Sequence, residues 1–331
     1  MNRAAPVEGR QTGYSANHHG AQPLWAITSY FNPMRYERRL ANYRTFREHL
    51  AVPLITVELS YAAEEFDLRE GEADILIQLR GRDVLWQKER LLNVGLGALP
   101  SECTKVVWLD CDVIFGDDSW AEKVSGLLDK FVLVQAFSRV HHLPGDLPLG
   151  EASPANAEFS QSSTASAVAS GISARACLSR PPGSRVQDRN SNGYAWAARR
   201  ELLDEHGFYD ARIVGSGDRA MAAAAYGIFD MVVADHGMNE RQEEHYLAWA
   251  EPYFESVGGA VSFADNDLFH LWHGEMRDRW YGERHEGLRR FQFDPYEDIA
   301  IDENGSWRWA SNKPQMHQWV KEYFVSRRED G

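Results

Sequence analysis

An apolar run that ends on two aspartates constrains the fold of this chain more than any other feature. Val106–Leu109 is followed by Asp110-Cys111-Asp112, and a second apolar run, Val113–Phe115, comes directly after. The first run predicts a buried strand of a parallel sheet, because side chains on both of its faces are apolar. Ligands of open α/β sheets gather just beyond the carboxyl ends of strands, and carboxylates there are costly to desolvate without a cation. The pattern therefore predicts a divalent cation bound with a diphosphate, although Asp-x-Asp also occurs in solvated turns.

Composition limits the functional classes that need to be considered. A chain of 331 residues can form one large domain or two ordinary ones. The formal net charge of −14 argues against a broad surface for unmodified nucleic acid. No apolar run is long enough to span a membrane, so no membrane partner is expected. The three cysteines have neither metal-ligand spacing nor an even number for pairing, which predicts reduced thiols and a cytoplasmic location.

The first 115 residues predict the order strand, helix, strand, strand, helix, strand. The predicted segments are a strand at 24–27 followed by a polar loop at 28–33, a helix at 36–50, strands at 53–59 and 74–79, a helix at 85–99 and the strand before Asp110. This alternation is typical of an α/β doubly wound sheet. No glycine-rich phosphate motif is present, which argues against a dinucleotide-binding domain.

The remaining segments predict the domain organisation. Residues 1–22 are polar and rich in glycine, without the apolar core of a signal peptide, and predict a disordered lead-in. Residues 23–290 are expected to form one domain. Within it, 139–192 is rich in Ser, Ala, Gly and Pro, which predicts either a long lid over the site or a disordered insertion. Residues 291–331 are expected to be an extension that packs back on the domain.

Several motifs resemble the β-1,4-galactosyltransferases and related glycosyltransferases of the GT-A fold. The donor half of that family is resembled by Ile75–Gln78, Trp86–Gly95 and Val107–Ile114, and its acceptor half by Asn192–Leu203, Gly207–Asp210 and Gly215–Asp218. His270-Leu271-Trp272-His273-Gly274 stands where such enzymes have a metal-binding histidine. The resemblance implies a GT-A, Rossmann-like α/β fold with a mixed, mostly parallel sheet flanked by helices.

The chain departs from that family on the acceptor side. The family's glutamate before the acceptor-side aspartate is Gly217 here, and the tryptophans that shape its acceptor pocket are missing from Arg212–Val214. The departures leave the acceptor open.

The candidate metal ligands are Asp112, Asp110, His273 and His270. Asp112 is the first candidate for a direct ligand, and Asp110 is expected to contact a ribose or a metal-bound water. Carboxylate oxygens suit Mn²⁺ or Mg²⁺, and a single imidazole is compatible with Mn²⁺. His273 is the favoured histidine and His270 a second one; the alternative is a pair of half-buried histidines. In a strand the two would point to opposite faces, whereas in a turn they can converge on one ion.

The resemblance also implies donor-binding residues and a catalytic base. The donor-binding candidates are Thr28, Ser29, Tyr30, Asn32, Arg35, Arg90, Asp110, Gly193 and Trp196. The alternative for the first five is an ordinary polar loop, and for Arg90 a solvated helix residue. Asp218 is the candidate general base. It precedes the helix-forming run Arg219–Tyr226, so the alternative is a helix cap worth about 1 kcal/mol.

Together these features predict a metal-dependent, inverting glycosyltransferase that moves a sugar from a nucleotide-diphosphate donor, with UDP favoured, to an acceptor hydroxyl. The acceptor could be a glycan, a protein, a small molecule or a modified nucleobase. The alternatives are a nucleotidyltransferase or retaining sugar transferase on the same fold, and a nucleotide-sugar-binding module whose catalytic site has decayed.

Overall fold

The computed structural model describes residues 24–61, 64–181, 183–281 and 283–331. The predicted lead-in at 1–22 lies outside them. Cys103, Cys111 and Cys177 are free and buried. Within the described residues, no helix is both long and apolar enough to cross a membrane.

The first part of the chain alternates strands and helices. The elements are β1 (Leu24–Phe31), α1 (Glu37–Glu48), β2 (Leu54–Tyr61), β3 (Ile75–Gly81), α2 (Lys88–Leu96), β4 (Lys105–Leu109), β5 (Val113–Phe115), α3 (Trp120–Leu128) and β6 (Leu133–Gln135). The order predicted for the first 115 residues is confirmed.

The second part of the chain is richer in helix. The elements are β7 (Arg139–His142), β8 (Phe159–Ser162), α4 (Thr164–Ala169), α5 (Ala174–Leu178), β9 (Ala195–Arg199), α6 (Arg200–His206), α7 (Gly217–Ala225), α8 (Phe229–Asp235), α9 (Glu240–Val257), β10 (Val261–Phe263), β11 (Asp267–His270), α10 (Arg284–Arg289), β12 (Ile299–Ile301), β13 (Trp307–Trp309) and α11 (Pro314–Ser326). Short 3-10 helices lie at Leu149–Glu151, Pro154–Asn156, Val186–Asp188 and Met276–Arg279.

The main sheet is mixed and mostly parallel. Its order among the described residues is β10-β6-β9-β4-β1-β2-β3, and β9 alone runs antiparallel to its two neighbours. A smaller sheet has the order β5-β11-β7-β8, and β12 pairs with β13. The predicted fold class, a mostly parallel α/β sheet flanked by helices, is confirmed.

The first strand is longer than the sequence predicts. β1 continues through the predicted loop to Phe31, because it pairs with β2 in parallel as far as Phe31 and Leu59. The hydroxyl of Thr28 is satisfied inside the sheet by donating to the carbonyl oxygen of Leu109 (2.7 Å). In the sequence alone, a polar strand residue such as Thr28 cannot be distinguished from a loop residue, because its hydrogen-bond partner lies in a neighbouring strand.

The two sheets bring the predicted metal ligands together. β1 and β4 are parallel, so their carboxyl ends meet at one edge of the main sheet, where Asp110 follows β4. In the smaller sheet β11 pairs antiparallel with β5, and His270 lies opposite Val113. Beyond that pair, the amide of Leu271 donates to the carbonyl oxygen of Asp112 (2.8 Å). The end of β11 therefore lies against the Asp-x-Asp tripeptide.

The segment at 139–192 has more regular structure than its composition predicts. It contains β7, β8, α4 and α5, and Ser163 and Ser173 cap the two helices through their side chains. Its last residues, together with Gln161 and Cys177–Arg180, line the cavity described below. This Ser- and Ala-rich segment is therefore structured, and part of it forms one wall of the cavity.

The C-terminal segment packs against the carboxyl edge of the sheet. Gln87 exchanges two hydrogen bonds with the backbone of Trp307 (2.8 and 2.9 Å). Phe324 of α11 stacks on Trp86 with a centroid distance of 6.2 Å. The predicted domain boundary at residue 290 stays a prediction.

Candidate active site

A polar cavity opens at the carboxyl edge of the main sheet. Its walls come from β1, α2, the Asp-x-Asp tripeptide, the segment at 177–194, the start of α7 and the segment after β11. Ser29, Asp110, Gly193 and Asp218 are among its lining residues. The cavity therefore contains predicted residues from both halves of the chain.

Asp112, His270 and His273 form a candidate metal site. Their ligand atoms all lie within 4.8 Å of one another. Asp112 Oδ2 is 3.1 Å from His273 Nε2, and the Nε2 atoms of the two histidines are 3.1 Å apart. They converge because β11 ends at His270 and His273 lies in the irregular segment after it. The two side chains therefore do not alternate across one strand and can face the same point.

The electrostatics of this triad suit a cation. Burial and Asp110 raise the pKa of Asp112 to about 7, and Asp112 Oδ1 has no hydrogen-bond partner among the described residues. Burial and Arg279 lower the pKa of His273 to about 3, and burial and His142 hold the pKa of His270 well below its usual range. Both imidazoles are therefore neutral, as metal ligation requires.

Two groups beside the triad influence His273. Arg279 donates from Nη2 to His273 Nε2 (3.0 Å), a contact that ligation by that nitrogen would replace. On the other side, Glu329 Oε1 lies 3.7 Å from His273 Nδ1. Glu329 is buried against Arg39 and Arg327, whose charges outweigh burial and hold its pKa well below the usual range. Glu329 thus places a charged carboxylate behind His273, although His273 Nδ1 has no hydrogen-bond partner among the described residues.

Lys88 joins the other aspartate of the tripeptide to the candidate base. Its Nζ lies 2.5 Å from Asp110 Oδ1 and donates to both carboxylate oxygens of Asp218 (3.0 and 2.9 Å). Burial lowers the pKa of Lys88, but the two carboxylates outweigh it and hold this pKa well above its usual range. The ammonium therefore stays charged between them.

Asp218 lies at the start of α7 but does not cap it. Both of its oxygens accept from Lys88, and the N-cap position is Ser216, which has a positive φ of 72° and no capping side-chain bond. Ser216 is held by Arg284, which donates to its hydroxyl, and by His285 Nε2 at 3.0 Å. Burial raises the pKa of Asp218, and Lys88 opposes that rise.

Glu89 occupies the space that a side chain at position 217 would need. A Cβ added at Gly217 would overlap the Glu89 carboxylate. Glu89 is 2% exposed, and its Oε1 has no hydrogen-bond partner in the described part of the chain. Burial, with Asp218 as a like charge, raises the pKa of Glu89 to about 8 against the opposing charge of Lys88.

Several predicted donor-binding residues lie away from the cavity lining and have partners elsewhere. Tyr30 donates to Asp67, Asn32 bonds the backbone of Tyr36, and Arg35 pairs with Asp67. Among the described residues, the lining includes Ser29, Asp110 and Gly193 and lacks Thr28, Tyr30, Asn32, Arg35, Arg90 and Trp196.

Arg90 and Trp196 are also engaged in packing. Arg90 pairs with Asp210 (3.0 Å). Trp196 stacks on Trp108 with a centroid distance of 6.5 Å, and its indole nitrogen donates to the carbonyl oxygen of Asn192. Both contacts hold the segment 192–210 against the segment 86–114.

The sequence interpretation missed the basic lining of the cavity. Lys88, Arg279, Arg284 and Arg327 all line it. Lys88 and Glu89 lie inside Trp86–Gly95, one of the motifs that carry the resemblance, and directly precede the candidate Arg90. The sequence therefore contained a signal that these two residues belong to the site. The arginines lie in segments without a recognisable pattern.

Gly217→Ala is expected to destabilise the protein by about 1–3 kcal/mol, because the new Cβ overlaps the buried Glu89 carboxylate. Glu89→Ala removes that obstacle, so the double variant should lose less stability than the two single variants together. Urea denaturation of all four proteins measures the coupling. Gly126→Ala in α3, where an added Cβ meets nothing within 4 Å, is the control. Equal losses with and without Glu89 would contradict the overlap.

Glu89→Gln is expected to change how stability depends on pH. The folded protein keeps a proton on Glu89 up to about pH 8, whereas the group's ordinary pKa is 4.5. Between these values the folded state binds more protons, so the wild type loses stability as pH rises. The free energy of unfolding of the variant, relative to that of the wild type, should therefore rise between these two pH values by up to about 1.4 kcal/mol per pH unit and then level off. Urea denaturation from pH 5 to 9 measures it, with the exposed Glu102→Gln as control. A constant difference would show that Glu89 ionises normally.

Comparisons with protein-family models and with curated protein sequences found no match. Solved structures with a similar overall fold include S. aureus TarS bound to UDP-GlcNAc, at 12% identity and a TM-score of 0.37, covering 61% of this chain and 52% of that one. The chain thus matches about half the length of TarS. Another is the Mn²⁺, UDP and phosphoglyceric acid complex of glucosyl-3-phosphoglycerate synthase from Mycobacterium tuberculosis (13% identity, TM-score 0.34, 92% and 78% coverage). A third is the catalytic domain of Drosophila β1,4-galactosyltransferase 7 with xylobiose (9% identity, TM-score 0.35, 90% and 98% coverage). Identities and TM-scores of this size assign no activity.

Proposed function

We propose that this protein is a metal-dependent, inverting glycosyltransferase that uses a nucleotide-diphosphate sugar, with UDP favoured as the nucleotide. The observation that supports the proposal is that the two aspartates of the Asp-x-Asp tripeptide have different partners. Asp112 faces two neutral imidazoles, whereas Asp110 shares Lys88 with Asp218. One side of the cavity thus offers ligands for a cation, and the other offers a carboxylate for a proton.

The triad fits a hard or borderline divalent cation such as Mn²⁺ or Mg²⁺. Within the described part of the chain, the buried Oδ1 of Asp112 has no hydrogen-bond partner, and the Nε2 atoms of His270 and His273 lie 3.9 and 3.1 Å from the Asp112 carboxylate. Two nitrogen ligands favour Mn²⁺ over Mg²⁺, because Mg²⁺ prefers oxygen. A cation held there would neutralise the charge that develops on a diphosphate leaving group. Ser29, Asp110 and Gly193, which line the same cavity, are proposed to contact the donor.

Asp218 is proposed to be the general base. As the acceptor oxygen bonds the anomeric carbon, its proton passes to Asp218, and the bond to the diphosphate breaks with its electron pair on the leaving oxygen. Lys88 opposes the rise in the pKa of Asp218 that burial causes, and it donates to both carboxylate oxygens, which each retain a second lone pair for the acceptor hydroxyl. Gly193, at which an added Cβ would lie 3.3 Å from Asp218 Oδ2, leaves room for the acceptor.

Asp218→Asn tests the base. Sugar transfer is expected to fall by roughly 10²-fold or more, because the amide cannot accept the proton, while UDP binding stays within a few-fold. Asp230→Asn is the matched control, since Asp230 is also the second residue of its helix but pairs with Arg175 on the surface. A panel of nucleotide sugars with added acceptors identifies the reaction to assay. Transfer within a few-fold of wild type would place the base elsewhere.

The metal triad is tested by Asp112→Asn, His273→Ala and His270→Ala. Each is expected to weaken Mn²⁺ binding in the presence of UDP by at least about 10-fold, because each removes a ligand. Asp112→Asn should also weaken UDP binding, because the diphosphate and the ion bind as one unit. Isothermal titration calorimetry measures both affinities, and the exposed His49→Ala is the control. Unchanged Mn²⁺ affinity with a lower melting temperature would make the histidines structural.

A further inference from the structure

We propose that the Asp218 side of the cavity binds an anionic group, phosphate or carboxylate, carried by the acceptor. This site is formed by Arg180, Arg189, Arg219 and Arg284, called the arginine cluster below. The inference rests on the proposed function, because it assigns the Asp218 side to the acceptor.

The four arginines come from separate parts of the chain and meet at the cavity. All of them line it. Arg180 and Arg189 flank the 3-10 helix Val186–Asp188, which joins α5 to the strand beside Asp110. Arg219 directly follows Asp218, and Arg284 donates to the hydroxyl of Ser216 at the start of α7. The cluster is therefore centred on the segment that presents the candidate base.

The carboxylates near the cluster do not balance its positive charge. Arg219 pairs with Asp235. For Arg180, Arg189 and Arg284, no carboxylate lies within 4.0 Å among the described residues. Arg189 donates only to Ser184, and Arg284 only to Ser216 and Tyr323, within that part of the chain. Arg284 is 4% exposed and its Nε has no partner there. A buried cation such as Arg284 is costly without an anion, which a ligand can supply; Arg180 and Arg189 are half-buried.

The ionisation of nearby groups agrees with an unbalanced positive field. Burial and the surrounding arginines, Arg219 first, lower the pKa of Arg180 to about 9. Burial alone would raise the pKa of Tyr281 and Tyr323. Arg279 and then Arg284 lower the pKa of Tyr281, and Arg284 and then Arg327 lower that of Tyr323, so Arg284 of the cluster contributes to both. An anion in the cluster would relieve this repulsion.

The position of the cluster favours the acceptor over the donor as the source of that anion. The donor's diphosphate is expected beside the cation, where Arg279 contacts His273 and where Arg39 and Arg327, both paired with Glu329, also line the cavity. Two members of the arginine cluster lie at the start of α7, since Arg219 belongs to that helix and Arg284 donates to Ser216, and Arg180 and Arg189 line the same cavity. A bidentate arginine fixes both the position and the orientation of a phosphate or carboxylate, so it can direct a nearby hydroxyl toward Asp218.

Sulfate is a suitable probe, since it is a divalent oxyanion that leaves Mn²⁺ in solution. The full chain is first saturated with UDP and Mn²⁺, so that the proposed donor site is occupied. Sulfate is then titrated while tryptophan fluorescence is followed, because Trp86 lines the cavity. Saturable binding is expected. Arg180→Gln and Arg189→Gln should each weaken it by about 10-fold or more, and Arg180→Lys, which keeps the charge but loses the bidentate geometry, by less than Arg180→Gln.

Arg185→Gln is the control, because Arg185 is in the same segment but exposed and paired with Asp188; it should bind sulfate and UDP like the wild type. Melting temperatures exclude unfolding as the cause of any loss. No sulfate binding to the UDP complex would overturn the subsite while leaving the transferase proposal intact. UDP affinity that falls with sulfate affinity in the Arg180 and Arg189 variants would assign the cluster to the donor and overturn the acceptor assignment. Failure of UDP and Mn²⁺ to bind at all would instead contradict the proposed function.

Discussion

The ammonium of Lys88 is the interaction on which the cavity depends, because it is the link between Asp110 and Asp218. It connects α2 to the end of β4 and to the start of α7, whose aspartate is 130 residues away in sequence. A buried pair of this kind gives little net stability, but removal of one partner typically costs several kcal/mol. Without Lys88 two carboxylates would face each other at a partly buried edge. The ammonium therefore favours the ionised form of the carboxylate at the start of α7, against the burial that raises its pKa.

A series of polar contacts runs from the candidate metal triad to residues near the C-terminal end of the chain. Asp112 faces the two histidines, His273 faces Glu329, and Glu329 is held by Arg39 and Arg327. Arg39 belongs to α1 and Glu329 to the last residues of the chain, so this shell closes only after the C-terminal segment has packed. The extension predicted at 291–331 thus contributes to the site through a long-range ion pair, and its deletion would leave His273 without the carboxylate behind it.

Local patterns made most of the sheet predictable, whereas tertiary pairings decided the details of the site. β4 and the Asp-x-Asp tripeptide follow from an apolar run and its ending, and the convergence of His270 and His273 required only that a turn follow β11. The donor loop was predicted from polar residues at 28–33, but Thr28 and Tyr30 bond across the fold to Leu109 and Asp67. No local pattern distinguishes a strand hydroxyl with a distant partner from one in a loop. The arginine cluster was not predicted either, because its members come from separate parts of the chain and meet only in the folded protein.

Gly217 and Glu89 together place a second carboxyl group at the start of α7. The glycine leaves the space that the Glu89 carboxyl group, which comes from α2, occupies. Because the pKa of Glu89 is raised to about 8 by burial first and by Asp218, it is mostly protonated at neutral pH and does not compete with Asp218 for Lys88. The start of α7 then carries the Asp218 carboxylate, bound by Lys88, close to Arg219 and Arg284. Such a field favours a ligand with its anionic group toward the arginines and its hydroxyl toward Asp218, and disfavours the reverse orientation.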